Sequence, residues 1–275
     1  MRKVIGIAAA GLFVGGSLYI AQDYEERYAE EREKKKAAQK LEQVEKPEQP
    51  KVVEKAEPVI SVDEKKSRFF SALRPGIELE NQRVLKERKR LEQIQQHLLD
   101  SELNAEDNAY AKRLGKLYRV NVPASGVDGE WVDKMLHRVD VLPEALVLTQ
   151  AANESAWGTS RFAEQANNYF GQWCYSKGCG LVPLQRSEGM THEVAKFDSV
   201  QQSIHGYFMN VNRNAAYHDL REIRYQRHLA GEDLLSVATA TALTDGLLAY
   251  SERGQDYVDD LQAMIRHNNK YWTQQ

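Results

Sequence analysis

Residues 141–171 read VLPEALVLTQAANESAWGTSRFAEQANNYFG. Pro143 stands where a first helical turn tolerates the loss of an N–H donor. From 144 to 157 the chain carries apolar groups nearly all round until Ala152. A helix without a polar face is buried on every side, so this segment predicts a central helix. Gly158 supplies the residue type that closes a helix in the left-handed conformation. A second short helix is expected over 160–166, broken by Asn167 and Asn168.

On the C-terminal side, residues 178–197 carry Gly180, Pro183 and Gly189. The short alternating runs LVPLQR and HEVAKF lie on either side of Ser187-Glu188-Gly189-Met190, which predicts a small β-hairpin. Helical patterns resume after the cap-like pair Asp198-Ser199, through Ile204, Tyr207, Phe208 and Val211, then over 234–242 and 257–265. On the N-terminal side, Trp131, Val132, Met135, Leu136 and Val139 mark one helix face. The fold class is therefore α+β: a mostly helical domain over 120–275 with a small β-hairpin lobe.

Residues 61–119 read as a helical neck, with Val84, Leu91, Ile94 and Leu98 at heptad-like offsets and helix formers dominating after Pro75. The pattern is too short for a coiled coil, so the neck packs on the domain or on itself. Phe69, Phe70 and Leu73 form an apolar knot, suited either to docking on the domain or to a solvated hinge. Residues 22–60 mix charges of both signs with Pro47, Pro50 and Pro58 and hardly a large apolar group, so they read as a disordered tether. Arg2 and Lys3 precede an uncharged apolar run over 4–21. Residues 1–21 are thus a signal anchor, or alternatively a cleaved signal peptide, and the chain is expected to leave the cytosol.

The 275 residues carry a formal net charge of −3, which leaves no global positive field for nucleic acid. Cys174 and Cys179 have no neighbouring Cys/His set to complete a tetrahedral site, so no metal and no cofactor are expected. In an exported chain the pair reads as a disulfide pinching its loop, with two free thiols as the alternative. The sequence assigns no oligomeric state.

Glu154 carries the chemistry. It falls in the last turn of the apolar helix, with Gln150 four residues before it and Trp157 three after it on the same face. Burial, an aromatic neighbour and the negative end of the helix dipole all disfavour its ionised form. A carboxylic acid kept protonated near neutral pH is the donor needed to expel an alkoxide, as in glycoside hydrolysis. Asn167, Asn168, Tyr169, Phe170 and Trp173 follow within about twenty residues. Amides and flat rings together suit a carbohydrate cleft, so these residues join Gln150 and Trp157 as candidate substrate contacts.

The elements Q-A-x-x-E-S-x-W-G and N-N-x-F-G of the quoted run resemble the signature of bacterial endo-β-N-acetylglucosaminidase domains of glycoside hydrolase family 73. KFDSVQQSIHGYF, the stretch 214–217, and LLAYSERGQDYVDDLQAMI are similar to that family's later landmarks, so the resemblance spans about 129–265. It implies a lysozyme-like fold, with Glu154 as the acid that cleaves the β-1,4 bond after N-acetylglucosamine in peptidoglycan glycan strands. It also implies a second acidic residue on the β lobe and a cleft tyrosine from a Y-A-T-D-x-x-Y element. Tyr250 matches that tyrosine and Tyr257 its second member, although this element is longer and lacks the Thr-Asp pair.

Glu188 at the hairpin turn is the first choice for the second carboxylate and Glu193 the next, while Asp198 reads as a helix cap. A carboxylate about 6.5–9.5 Å from Glu154 would make the enzyme inverting; without one, the substrate's acetamido group would serve as internal nucleophile. From another class comes the alternative of a catalytically inactive glycan-binding or envelope scaffold protein. Cleavage of the peptide stem by an amidase is disfavoured, since neither metal ligands nor a nucleophile is evident.

Overall fold

The computed structural model describes residues 60–272 except 185, 187, 188 and 249, and within the chain residues from 60 onward form one compact unit. The export segment, 1–21, and all but the last residue of the tether, 22–60, lie outside the described residues. Among the described residues, no helix is long and apolar enough to cross a membrane.

Nine α-helices and three short strands are present among the described residues. In chain order they are α1 (Val62–Leu99), α2 (Ala105–Tyr118), α3 (Gly129–Arg138), α4 (Glu144–Ser155), α5 (Arg161–Ala166), β1 (Trp173–Cys174), β2 (Gly180–Leu181), β3 (Glu193–Ala195), α6 (Val200–Arg213), α7 (His218–Leu229), α8 (Val237–Thr244) and α9 (Gln255–His267). The molecule is α+β and mostly helical. Capping residues define many of the helix starts: Ser61, Asn104, Asp128, Ser160, Ser199 and Ser236 each accept a backbone N–H of the first turn. The cap at Ser236 also explains why α8 begins later than the apolar pattern predicts. Leu235 N donates to Asp233 Oδ1 at 2.9 Å, which folds the expected first turn into a bend.

The long α1 is a stave of the core. It has 38 residues, about 57 Å at the α-helical rise, and runs straight through Pro75, so it starts well before the helix-rich stretch of the sequence. Phe70, Leu73, Ile77, Val84, Leu91 and Ile94 are all buried, and the helix lies against α3, α4 and α6. At Gly76 the approach of α6 is so close that a Cβ would stand 2.6 Å from Gln201 Oε1 and Ile204 Cδ1. Of the two readings for the neck, packing on the domain is the one observed. Phe69 and Phe70 dock on Trp157, and Phe70 also meets Tyr271 and Trp272.

Around the entry to α4 the backbone is held by buried polar side chains. Asn81 of α1 clamps Leu142 in both directions: its Nδ2 donates to Leu142 O and its Oδ1 accepts from Leu142 N, each at 2.9 Å. Arg88 donates to the carbonyls of Leu136 and Val139 at 2.9 and 3.0 Å and pairs with Asp140 at 2.9 Å. Arg224 of α7, wholly buried, donates to the carbonyls of His137, Arg138, Asp140 and Val141. With its N-terminal approach fixed, α4 is enclosed by α1, α8 and α9.

The β lobe differs from the expected hairpin. It is a three-stranded antiparallel sheet in the order β1-β3-β2, with Trp173 opposite Val194 and Gly180 opposite Ala195. The run LVPLQR leaves the sheet after Leu181, because Pro183 has no N–H to give a ladder. Cys174 and Cys179 form a disulfide beside the sheet.

Two measurements check the place of α1. Phe70→Ala should destabilise the protein by about 3–5 kcal/mol in chemical denaturation, the usual cost of emptying a buried ring site. A chain beginning at residue 120 should show no cooperative unfolding transition, since it leaves the α1-facing side of α4 uncovered.

Candidate active site

Glu154 lies in the last turn of α4, and the helix stops one residue later. Ala156, Trp157 and Gly158 are all left-handed, with φ of 50°, 60° and 82°. This conformation costs a residue with a Cβ about 1–2 kcal/mol. Neighbouring contacts hold the turn in place. Ser155 Oγ donates to Ala151 O at 2.6 Å and accepts from Gly158 N at 2.8 Å, while the Trp157 ring packs against Phe69 and Phe70 with Lys66 Nζ 5.2 Å from its centroid. The helix therefore ends before Trp157, which corrects the expectation that Trp157 shares a helix face with Glu154. Its documented ring neighbours belong to α1.

The carboxylate of Glu154 terminates a directional chain of hydrogen bonds. Tyr207 Oη donates to Gln150 Oε1, Gln150 Nε2 donates to Tyr257 Oη at 3.1 Å, and Tyr257 Oη donates to Glu154 Oε1 at 2.9 Å. Asn153 Nδ2 adds a longer bond of 3.4 Å to the same oxygen. Gln150 is 0% exposed and both ends of its amide are engaged. It positions Tyr257 and has no group left for a sugar, which corrects its expected role as a substrate contact.

The other oxygen of Glu154, Oε2, makes no hydrogen bond among the described residues, since the bonds from Tyr257 and Asn153 both fall on Oε1. Oε2 faces Gly171, where a Cβ would sit 3.6 Å away and where φ is +61°. Burial pushes the Glu154 carboxyl above its ordinary range, and the bonds from Tyr257 and Asn153 pull it part of the way back. Tyr207, Tyr217, Tyr250 and Tyr257 are all held above the usual phenol range, first by burial and further by the nearby Glu154 charge. They stay protonated and act as donors. Tyr250 stacks on Tyr257 at 5.3 Å, lies 5.7 Å from Tyr217, and aims its hydroxyl at Phe170 O, 3.4 Å away.

Several expected sugar contacts turn out to build the scaffold. Asn168 is 1% exposed; its Nδ2 donates to Gln172 O and Ala195 O, and its Oδ1 accepts from Phe170 N and Gln172 N. Asn167 closes α5 in the left-handed conformation and donates to Phe197 O at 3.0 Å. Phe170 is buried and stacked on Tyr207 at 4.2 Å. Tyr169 is half-buried beside Phe69. Trp173 differs from these: it is 54% exposed, two residues beyond Gly171, with one face stacked on His192 at 4.0 Å. Tyr175, 73% exposed, follows on the same lobe.

Glu188 lies outside the described residues. Glu193 accepts backbone N–H bonds from Gly178 at 2.9 Å and Gly180 at 2.8 Å, one on each oxygen, and these bonds hold its carboxyl below the ordinary range. It ties the disulfide loop to the sheet. Asp198 precedes the Ser199 cap and exchanges hydrogen bonds with Gln202. The reading of the sequence missed Tyr207 and Gly171 as site residues. A tyrosine on the buried face of a helix was the available signal for the first, since its hydroxyl needs a partner.

The Glucosaminidase family model, described as mannosyl-glycoprotein endo-beta-N-acetylglucosaminidase, matches residues 129–270. The chain is 32% identical over 206 residues to "Protein bax" of Escherichia coli (strain K12), covering 75% of this chain and 70% of that protein. No solved structure gives a significant match. With more than half of its length matched and the motif-bearing helix inside the matched span, the chain belongs to the glucosaminidase family.

Proposed function

We propose that this protein hydrolyses the β-1,4 glycosidic bond after N-acetylglucosamine in peptidoglycan glycan strands, with Glu154 as general acid. The observation that carries this reading is the polarity of the hydrogen-bond chain. Because Gln150 donates to Tyr257, the tyrosine hydroxyl is free to donate onward, and it fixes Oε1 of Glu154 as an acceptor. The acid proton then resides on Oε2, the oxygen without a partner among the described residues. A raised pKa and an outward-facing proton are what a leaving-group oxygen requires. Trp173 and Tyr175 offer exposed ring faces on which sugar rings can stack. A buried acid-bearing helix beside a small β lobe also fits a lysozyme-like design.

For the other half of the reaction, Glu193 is poorly suited, since two backbone N–H groups already hold its charge. That leaves water activated by Glu188 or attack by the substrate's acetamido group. We place the enzyme in the periplasm, held at the inner membrane by residues 1–21, on the strength of the apolar N-terminal run.

The Glu154→Gln variant should abolish clearing on a peptidoglycan zymogram, a rate loss of about 10²–10⁴-fold or more. Clearing by both proteins would remove Glu154 from the mechanism, and clearing by neither would favour a glycan-binding scaffold. Mass spectrometry of the digest should show new reducing N-acetylglucosamine ends. Retained activity in Glu188→Gln would assign the nucleophile to the acetamido group.

The rate should fall as pH rises through the elevated pKa of Glu154, while the acid side should be flat if the acetamido group attacks and should fall off if Glu188 activates water. Tyr257→Phe removes a bond that favours the ionised form, so it should move the alkaline limb to still higher pH. Folded protein holds the Glu154 proton to higher pH than unfolded chain, so ionisation erodes stability as pH rises through the folded-state pKa. Glu154→Gln should therefore raise Tm by about 2–4 °C at alkaline pH, a gain that vanishes in acid, as read by calorimetry.

A further inference from the structure

A cavity of about 410 Å³ opens where the end of α2 meets α3 and the start of α7, and none of its lining residues touches Glu154. Its volume lies in the range of small-molecule sites, roughly 300–1,000 Å³. Arg119, Arg138 and Arg221 line it, and their charges are not balanced locally. Arg138 Nη1 donates to the carbonyls of Tyr118 and Arg213, both at 2.8 Å. Arg221 Nη1 donates to those of Val211 and Asn214 at 2.7 and 2.8 Å. Arg119 ends α2 in the left-handed conformation with its side chain exposed. None of the three guanidinium groups meets a carboxylate among the described residues.

The two acids on the cavity wall, Asp133 and Glu222, have partners other than the three arginines, among them His137, which also lines the cavity. Asp133 Oδ1 accepts from Tyr225 Oη at 3.3 Å, and Glu222 Oε2 lies 3.3 Å from His137 Nε2. Lys134 already pairs with Glu130 at 2.5 Å. Electrostatic strain is the consequence. Burial and the charges of Arg138 and Arg224 push the Arg221 guanidinium down to about 10, and burial lowers Arg138 as well. A buried charge without a counter-charge is costly, and Arg221, with half-buried Arg138 beside it, leaves room for an anion to supply one. Guanidinium forks match the paired oxygens of phosphate and carboxylate groups.

We infer that this cavity binds a small oxyanion ligand, phosphate- or carboxylate-bearing, between Arg119, Arg138 and Arg221. The site is separate from the glycan-cleaving centre and does not depend on that assignment.

Calorimetric titration of the full chain at low ionic strength with inorganic pyrophosphate, and separately with citrate, tests it. At least one probe should bind saturably, and the tighter of the two assigns the ligand as phosphate-bearing or polycarboxylate. Arg119→Asn keeps a residue suited to the left-handed position and removes an exposed charge, so it should fold normally and weaken binding about tenfold. Arg221→Lys should weaken it further. Lys86→Gln, which removes an exposed positive charge outside the cavity lining, should leave binding unchanged, and Arg119→Asn should leave zymogram clearing at the wild-type level. Absence of saturable binding by both probes would overturn the inference. So would equal weakening by Lys86→Gln and Arg119→Asn, which would mean a general surface field.

Discussion

A helix with no polar face cannot rest at a protein surface, and α4 is such a helix until its final turn. Everything around it serves to keep water away from residues 145–152. The helices α1, α8 and α9 enclose it, and the entry segment is pinned by Asn81, Arg88 and Arg224, which reach in from α1 and α7. Polar side chains do this work because backbone carbonyls that lead into a buried helix need partners as firmly as the helix needs apolar neighbours. Glu154 then appears where the enclosure ends. Its partial burial follows from the sealing of the helix that carries it.

Sealing has a second effect on the same helix. Gln150 is too deep for water, so both ends of its amide must be satisfied by protein, and the two tyrosines that satisfy them differ in role. One gives its proton to Gln150 and the other receives the amide N–H, which frees the second tyrosine to donate to the carboxyl group. A requirement of folding thereby sets which oxygen of Glu154 accepts the tyrosine's hydrogen bond. The cost is a carboxyl group held partly out of water, and the strained residues Ala156 and Trp157 add to it. Local strain of this kind is common beside functional groups, where surrounding packing over-determines the backbone.

Features encoded in nearby residues were legible in the sequence. The apolar run of α4, the position of Glu154 in its last turn, the short helix before Asn167, the cap at Ser199, and the pairing of Cys174 with Cys179 all rest on short-range patterns. What was not legible depends on partners distant in the chain. The neck became a core element because its apolar positions meet α3, α4 and α6, and nothing within residues 61–119 says which surface they meet. Asn167, Asn168 and Gln150 have the chemistry of sugar contacts, yet backbone and tyrosine groups from elsewhere consume that chemistry. Trp157 was placed one turn too far along a helix that stops at Ser155, because a left-handed alanine and tryptophan are not readable without the rings that hold them. The β lobe kept its position but gained a strand, since Trp173 and Cys174 pair with residues some twenty positions on.

The relay through Gln150 also has a handedness. Were the amide turned end for end, its nitrogen would face Tyr207 and its oxygen would face Tyr257. That oxygen would then compete with Glu154 for the single hydrogen of the phenol. A glutamate at 150, kept neutral by the same burial, could turn its one O–H toward either tyrosine, so the sense of the chain would no longer be fixed. The side chain that looks most like passive filler in the heart of this protein is thus a diode for hydrogen-bond direction.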